Sequence, residues 1–410
     1  MTRLVLSAAL IVAAALALGA DTSAPKVLSL DQAIAEAEAT SDRLRLQAVS
    51  VRAAASAPLA DPRAGSPSIR VGVRDLEGSG GNYGTPGDPE FTARARLPLP
   101  RPWDLATATK QGRATVDREE AQLDAIRDSL RLDVTRLFHR IPLMQDSLGI
   151  ADRLAQVTAD HLALVTARRA EGLSTEIEWL DSEEERRDAD EDRASLASDL
   201  HATTSVFAAM LGRPTNAAVE VETIDAEARA LLPIVTDEAI MTDLVSRSHD
   251  VAEADAEIER ATQRLLRVKL RGLPWLDWFQ GGVVLKSGNR PTWEVGGAID
   301  VPFTLWGPAR SREAELELDA AKIRREAVER RVEADARDKL RDAVAARERW
   351  LVERQHLQAL SDHAAPILDL ADPLVKLTLE ARIVRAELRT QLALTTLIER
   401  LDRLDAFASP

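Results

Sequence analysis

"LPLPRPW" spans residues 97–103, and "VPFTLWGP" spans residues 301–308. Each follows a short run of alternating apolar and polar residues, and each precedes a very long charged segment rich in Ala and Leu. At an offset of 204, Leu97-Pro98 falls on Val301-Pro302 and Leu173-Ser174 falls on Leu377-Thr378. The chain therefore reads as an internal duplication of helix, β-hairpin, long helix and long helix. The period is too long for a solenoid unit.

The hairpins show as a change of period. Ile69, Val71 and Val73 alternate with Arg70, Gly72 and Arg74. After the turn-rich "EGSGGNYGTPGDPE" at 77–90, Phe91, Ala93, Ala95 and Leu97 alternate with Thr92, Arg94 and Arg96. Two such runs joined by a Gly/Pro-rich segment predict a hairpin over 68–99. The second hairpin is predicted over 278–302, from "WFQGGVVLKS", the turn "GNRP", and Trp293, Val295, Ile299 and Val301 in alternation. Gly281 and Gly282 predict a weak third strand.

The helices follow from a 3.6-residue period and sparse breakers. A first helix is expected over Ser29–Ala57, then long helices over 104–169 and 174–211. At 1.5 Å per residue, about 65 helical residues reach about 100 Å. Pro142 is expected to kink the first of them or to mark a local irregularity. "RAEGLST" at 169–175 supplies Gly172 for a C-cap and Ser174 or Thr175 for an N-cap. So short a turn makes the two helices antiparallel neighbours. A linker is expected over 216–236, then a helix over 237–270 and long helices over 309–371 and 374–406, with interruptions near Pro366 and Pro373.

Composition limits the function. The 410 residues carry a formal net charge of −14, which disfavours a nucleic-acid partner. The absence of cysteine removes disulfides, thiolate metal sites, cysteine nucleophiles and a lipoprotein anchor together. Arg3, the apolar run Leu4–Ala20 and the small residues Ala17, Gly19 and Ala20 predict a secretory signal peptide over 1–20. An N-terminal membrane anchor is the other reading, but the run is shorter than a spanning helix needs. No other apolar stretch is long enough to span as a helix, so membrane insertion would have to use strands.

Four strands with open edges do not make a stable soluble sheet. An apolar face opposite a charged face fits a membrane barrel, and four strands close one only if several chains share it. The chain has seven Trp, one Tyr and six Phe. Tyr83, Phe91, Trp103, Trp275, Trp278, Phe279, Trp293, Phe303 and Trp306 all flank or lie in the predicted strands. Tyr83, Phe91, Trp103, Trp278, Trp293 and Trp306 are the expected membrane-interface aromatics. Packing between sheet and helices is the alternative.

No catalytic constellation stands out. His139, His161, His201, His249, His356 and His363 are scattered, with none paired at helical spacing. "DSEEERRDADED" at 181–192 reads as a solvated helix face rather than a metal site. No catalytic residue, metal site or cofactor is expected.

The signal peptide, the duplication and the proline-flanked crossings resemble the TolC-type outer membrane factors. "LSLDQAIAEA" at 28–37 resembles the family's opening helix, and "AEGLSTEIEWLDSEEE" its first hairpin tip. "MLGRP" at 210–214 resembles the close of the first half, and "VPFTLWGPARSREAELELDAA" at 301–321 the descent from the last strand. The resemblance covers nearly the whole chain after residue 20. It implies a mainly α fold with a small β part. Long antiparallel helical hairpins would form an α-barrel, and four strands per chain would contribute to a trimeric transmembrane β-barrel. It implies an outer-membrane exit duct of a tripartite efflux or type I secretion system. Its partners would be two further copies, outer-membrane lipid, a periplasmic adaptor (membrane fusion) protein and an inner-membrane pump. Asp369 and Asp372 would constrict the entrance, and Arg168 and Arg169 would latch it. Arg169, Glu171, Gly172, Leu173, Ser174, Val375, Leu377 and Thr378 would dock the adaptor. Two departures are Lys376, where the second tip would carry glycine, and the absence of a tyrosine ahead of either position. An exported periplasmic coiled-coil scaffold without a pore is the competing reading.

Overall fold

A computed structural model describes residues 27–56, 66–74, 90–99, 101–234, 245, 247–286, 290–301, 307–368 and 371–408. The predicted signal peptide, Tyr83, Trp306 and Asp369 lie outside them. The elements run α1 (Leu30–Thr40), α2 (Asp42–Ser56), β1 (Ser68–Arg74), β2 (Glu90–Pro98), α3 (Pro102–Ala170) and α4 (Glu176–Met210). Then come α5 (Ala226–Leu231), α6 (His249–Leu270), β3 (Trp275–Lys286), β4 (Thr292–Asp300), α7 (Gly307–Leu368) and α8 (Pro373–Ala408). They form two compact units. One is Met1–Ser41, Asp128–Val235 and Asp338–Ser409; the other is essentially Asp42–Arg127 and Thr236–Arg337.

The first unit is helical and packs through small residues. Ala33, Ala37, Val134, Phe138, Ile141, Phe207, Ala208 and Leu211 form one buried cluster, with Phe138 and Phe207 edge to face at 6.4 Å. Trp350 anchors a second with Leu143, Leu394, Leu397 and Ile398. Ile150, Ala151, Leu154, Ala189, Ala381, Val384 and Leu388 make a third, joining α3, α4 and α8. The alanines let helix backbones approach closely, and the larger side chains fill what remains.

Several expectations change here. The helix expected over Ser29–Ala57 is two, because Ser41 turns extended (φ −66°, ψ 111°) and α2 restarts at Asp42. Thr40, Ser41 and Asp42 are short polar residues that compete with the helical backbone. Pro142 does not interrupt α3: it lies inside the helix, buried between Ile141 and Leu143, so packing outweighs the lost hydrogen bond. Pro366 likewise lies inside α7, whereas Pro373 opens α8, where its missing N–H costs nothing. The expected linker is structured. Leu28 pairs with Val221 in a parallel bridge, and α5 buries Ala226 and Ala230 against the Trp350 cluster.

Two glycines end helices in the left-handed region. At the close of α4, Gly212 has φ +72°, its N–H donates to the Ala209 carbonyl, and Arg213 N–H donates to that of Ala208. Gly172 repeats this after α3, with φ +75°: its N–H donates to the Arg169 carbonyl and Leu173 N–H donates to that of Arg168. A Cβ on Gly212 would lie 2.7 Å from Thr40 Cγ2, whereas one on Gly172 meets nothing within 4 Å. We expect Gly172→Ala to cost about 1 kcal/mol, from backbone strain alone, and Gly212→Ala about 2–4 kcal/mol from strain plus overpacking. Parallel thermal melts check the order; equal losses would refute it.

The second unit carries the sheet, four antiparallel strands in the order β1-β2-β3-β4. The expected weak strand is the longest: β3 has 12 residues and pairs on both edges. Its register with β4 shifts between Leu276 and Trp278, a bulge at Asp277.

Candidate functional site: an inverted sheet and a latched helical tip

Register and exposure together give the sheet an inverted surface. Ile69, Val71 and Val73 align with Ala95, Ala93 and Phe91, and Leu97 with Phe279. Across the next ladder, Gly281 aligns with Val295, Val283 with Trp293 and Leu276 with Ile299. Every residue of this face is apolar. Val71 is 75% exposed and Trp293 77%. The opposite face carries Arg70, Thr92, Arg94, Arg96, Gln280 and Glu294, mostly half-buried, with Thr92 buried. A sheet on a water-soluble protein hides its apolar face; this one shows it and shelters its polar one.

The polar face explains Gly282. It lies in register between Arg94 and Glu294. Arg94 crosses it to place Nε 3.0 Å and Nη2 2.8 Å from Glu294 Oε2. A Cβ at Gly282 would come within 2.9 Å of the Ala93 carbonyl and of Arg94 Cγ. The glycine that predicted weakness is what lets this bond cross the strand.

The expected interface aromatics divide. Phe91 and Trp293 lie exposed on the apolar face. Trp278 faces the polar side, where the Arg96 guanidinium lies 4.2 Å over its ring. Trp103 packs edge to face on Trp275 at 5.1 Å, and Trp275 Nε1–H donates to the Leu99 carbonyl at 2.9 Å. Proximity to a strand does not reveal which face a ring takes.

In the helical unit, Arg168 Nη1 lies 2.9 Å from Asp372 Oδ1, which also accepts the Leu374 N–H at 2.8 Å. One carboxylate thus holds Arg168 and caps α8. Arg169 does not join this pair; it bonds Glu176 and stacks 4.8 Å over Trp179. Trp179 Nε1–H reaches Thr166 Oγ1 at 3.2 Å. Thr175 and Glu178 form a reciprocal capping box at the start of α4. Glu171, Gly172, Leu173 and Val375 are exposed, while Ser174, Leu377 and Thr378 are half-buried. Thr378 Oγ1 is 3.2 Å from His161 Nε2. Ile177 (70% exposed) and Leu180 continue the apolar stripe from Leu173. Their spacing in "LSTEIEWL" was the available signal.

His139 was also unforeseen. Its Nδ1 lies 2.9 Å from Asp402 Oδ1, to which Arg229 Nη1 donates at 2.7 Å, while Arg229 Nη2 reaches Asp405 at 2.6 Å. Asp402 is fully buried and ties α3 and α8 to α5. Burial lowers the Arg229 pKa, but the Asp402 and Asp405 carboxylates outweigh it and hold the guanidinium above its usual value. No group of acidic and histidine side chains among the described residues has metal-site geometry. The 181–192 run is mostly exposed and holds the pair Arg186–Asp190.

No protein-family sequence model and no curated protein sequence matches the chain. Solved structures do. CusC, described for its folding and transmembrane channel formation, aligns at TM-score 0.73 and 16% identity, covering 93% of this chain and 92% of that one. The outer membrane protein VceC of Vibrio cholerae aligns at TM-score 0.66 and 16% identity, over 92% and 94% of the two chains. The chain has the TolC-type outer-membrane-channel fold. The open-state MtrE outer membrane channel of Neisseria gonorrhoeae shares the fold at TM-score 0.62 and 16% identity, over 92% of this chain and 88% of that one. Long helices with a four-stranded antiparallel sheet are the elements of that fold in one chain. None of the described helices is long and apolar enough to cross a membrane.

Proposed function

We propose that the protein is the outer-membrane exit duct of a tripartite efflux or type I secretion system. Three chains would share one transmembrane β-barrel and one periplasmic α-barrel, built from the repeats 21–215 and 237–410. The observation that carries this reading is the inverted sheet, apolar outward and polar inward, which suits lipid on one side and a watery lumen on the other. Transport is passive, driven by an inner-membrane pump through a periplasmic adaptor. The duct has no catalysis of its own and needs no cofactor. Phe91 and Trp293 suit the membrane interface.

The exposed tip residues Glu171, Gly172, Leu173 and Val375 are the adaptor surface, with Ile177 and Leu180 extending it. Asp369 and Asp372 constrict the entrance, and the Arg168–Asp372 pair latches it. Arg168→Ala is expected to raise single-channel conductance in planar bilayers. The melting temperature should hardly move, because a half-exposed ion pair contributes about 0–1 kcal/mol. Unchanged conductance would remove the latch from the mechanism. Stepwise conductance of the detergent-extracted protein tests the duct itself; a protein soluble without detergent and silent in bilayers would be the scaffold.

A further inference from the structure

The polar face of the sheet is not electrically neutral, although the chain as a whole is acidic. Register places Arg70, Arg94, Gly282 and Glu294 in one row, and Ser68, Arg96, Gln280 and Gly296 in the next. Arg94 is compensated by Glu294 across Gly282. Asp300, at the helix end of the same face, is compensated by Arg101. Arg70 and Arg96 have no such partner among the described residues. Arg70 is exposed and has no hydrogen-bond or ion-pair partner among the described residues. Arg96 has no carboxylate partner among them either; it lies flat on the Trp278 ring, with its charge held but its fork of donors free. The two are diagonal neighbours on β1 and β2.

We propose that this face is an anion-binding wall. The inference rests on the duct reading, in which the polar face lines the lumen and recurs in each of three chains. Arg70 and Arg96 then form a belt of guanidiniums in the middle of the barrel. Guanidinium forks match phosphate, sulfonate and carboxylate groups, and a ring of like charges around a pore sets its ion preference. The belt therefore draws solutes bearing such groups through the outer section of the duct. Multivalent anions bind it more tightly than chloride does.

The test uses the full protein in planar bilayers, with inositol hexakisphosphate as the probe, added to one side at a time. Block is expected at lower concentration from one side. The double variant Arg70→Gln/Arg96→Gln should keep its conductance steps but need about tenfold or more probe for the same block. Its reversal potential in a KCl gradient should shift towards cation preference. Arg70→Lys/Arg96→Lys, which keeps the charge, should restore most of the block. Conductance steps without block, or block unchanged in the Gln variant, would overturn the anion wall and leave the duct standing. A wild-type protein that makes no steps would overturn the duct, and the wall with it.

Discussion

Val71→Arg is expected to deplete the protein from the outer membrane. Val71 lies in the middle of β1, 75% exposed, in a row with Ala93, Val283 and Trp293. If that row faces lipid, a guanidinium there costs about 2–4 kcal/mol per chain at the bilayer midplane, and a trimer bears the cost three times. Arg70, one residue earlier, already carries the same group on the other face, so the penalty comes from the face and not from arginine in this strand. The measurement is the amount of protein recovered from outer membranes in detergent, for Val71→Arg beside Arg70→Lys. The first should fall severalfold and the second should not. If Val71→Arg inserts and conducts like the wild type, the row of Val71 does not meet lipid.

Asp402→Ala is expected to give the largest loss of stability among single changes in the helical unit. Asp402 Oδ1 holds both Arg229 and His139, and its Oδ2 is buried without a hydrogen-bond partner among the described residues. Removing it leaves Arg229, itself largely sheltered, with Asp405 alone, and leaves His139 without its carboxylate. Breaking a buried pair from one side costs about 3–5 kcal/mol. Because this carboxylate is the buried polar link between α5 and α8, the loss should also expose residues 226–231 to protease before the long helices melt. Thermal unfolding followed by circular dichroism gives the first quantity, and limited proteolysis gives the second. A melt close to wild type, with α5 still protected, would show that the Trp350 cluster alone docks that helix.

Much of this architecture could be read from residues alone. The offset of 204 and the change from period two to period 3.6 marked the strands and long helices, and Gly172 marked the turn between α3 and α4. What could not be read depended on partners distant in the chain. That Pro142 is buried inside α3 could not be read, because the packing around it is tertiary. Gly282 looked like a weakness because Arg94 and Glu294 lie 200 residues apart. His139 looked isolated because Asp402 lies 263 residues away. Arg168 was matched with Asp372, yet Arg169 found Glu176 closer at hand. Trp278 was grouped with Trp293 by nearness to strands, although alternation puts the two rings on opposite faces.

The bulge at Asp277 has a consequence for how β3 can change over time. Above it, Phe279, Gly281, Val283 and Leu285 keep the apolar side; below it, the extra residue lets Leu276 share that side while Trp275 faces the other. The Asp277 carbonyl also accepts the Leu99 N–H at 2.9 Å, which ties the offset to the end of β2. Substitutions along β3 should therefore act in proportion to the side chain altered. Losing the Asp277 codon would only regularise the ladder, because Leu276 and Trp278 already face Ile299 and Ala298, which are consecutive; losing a codon between Phe279 and Leu285 would act all at once, turning every residue on one side of the gap to the other face with no residue replaced. Along the regular part of β3 the gene is more sensitive to a change of length than to a change of letter, and at the bulge it is not.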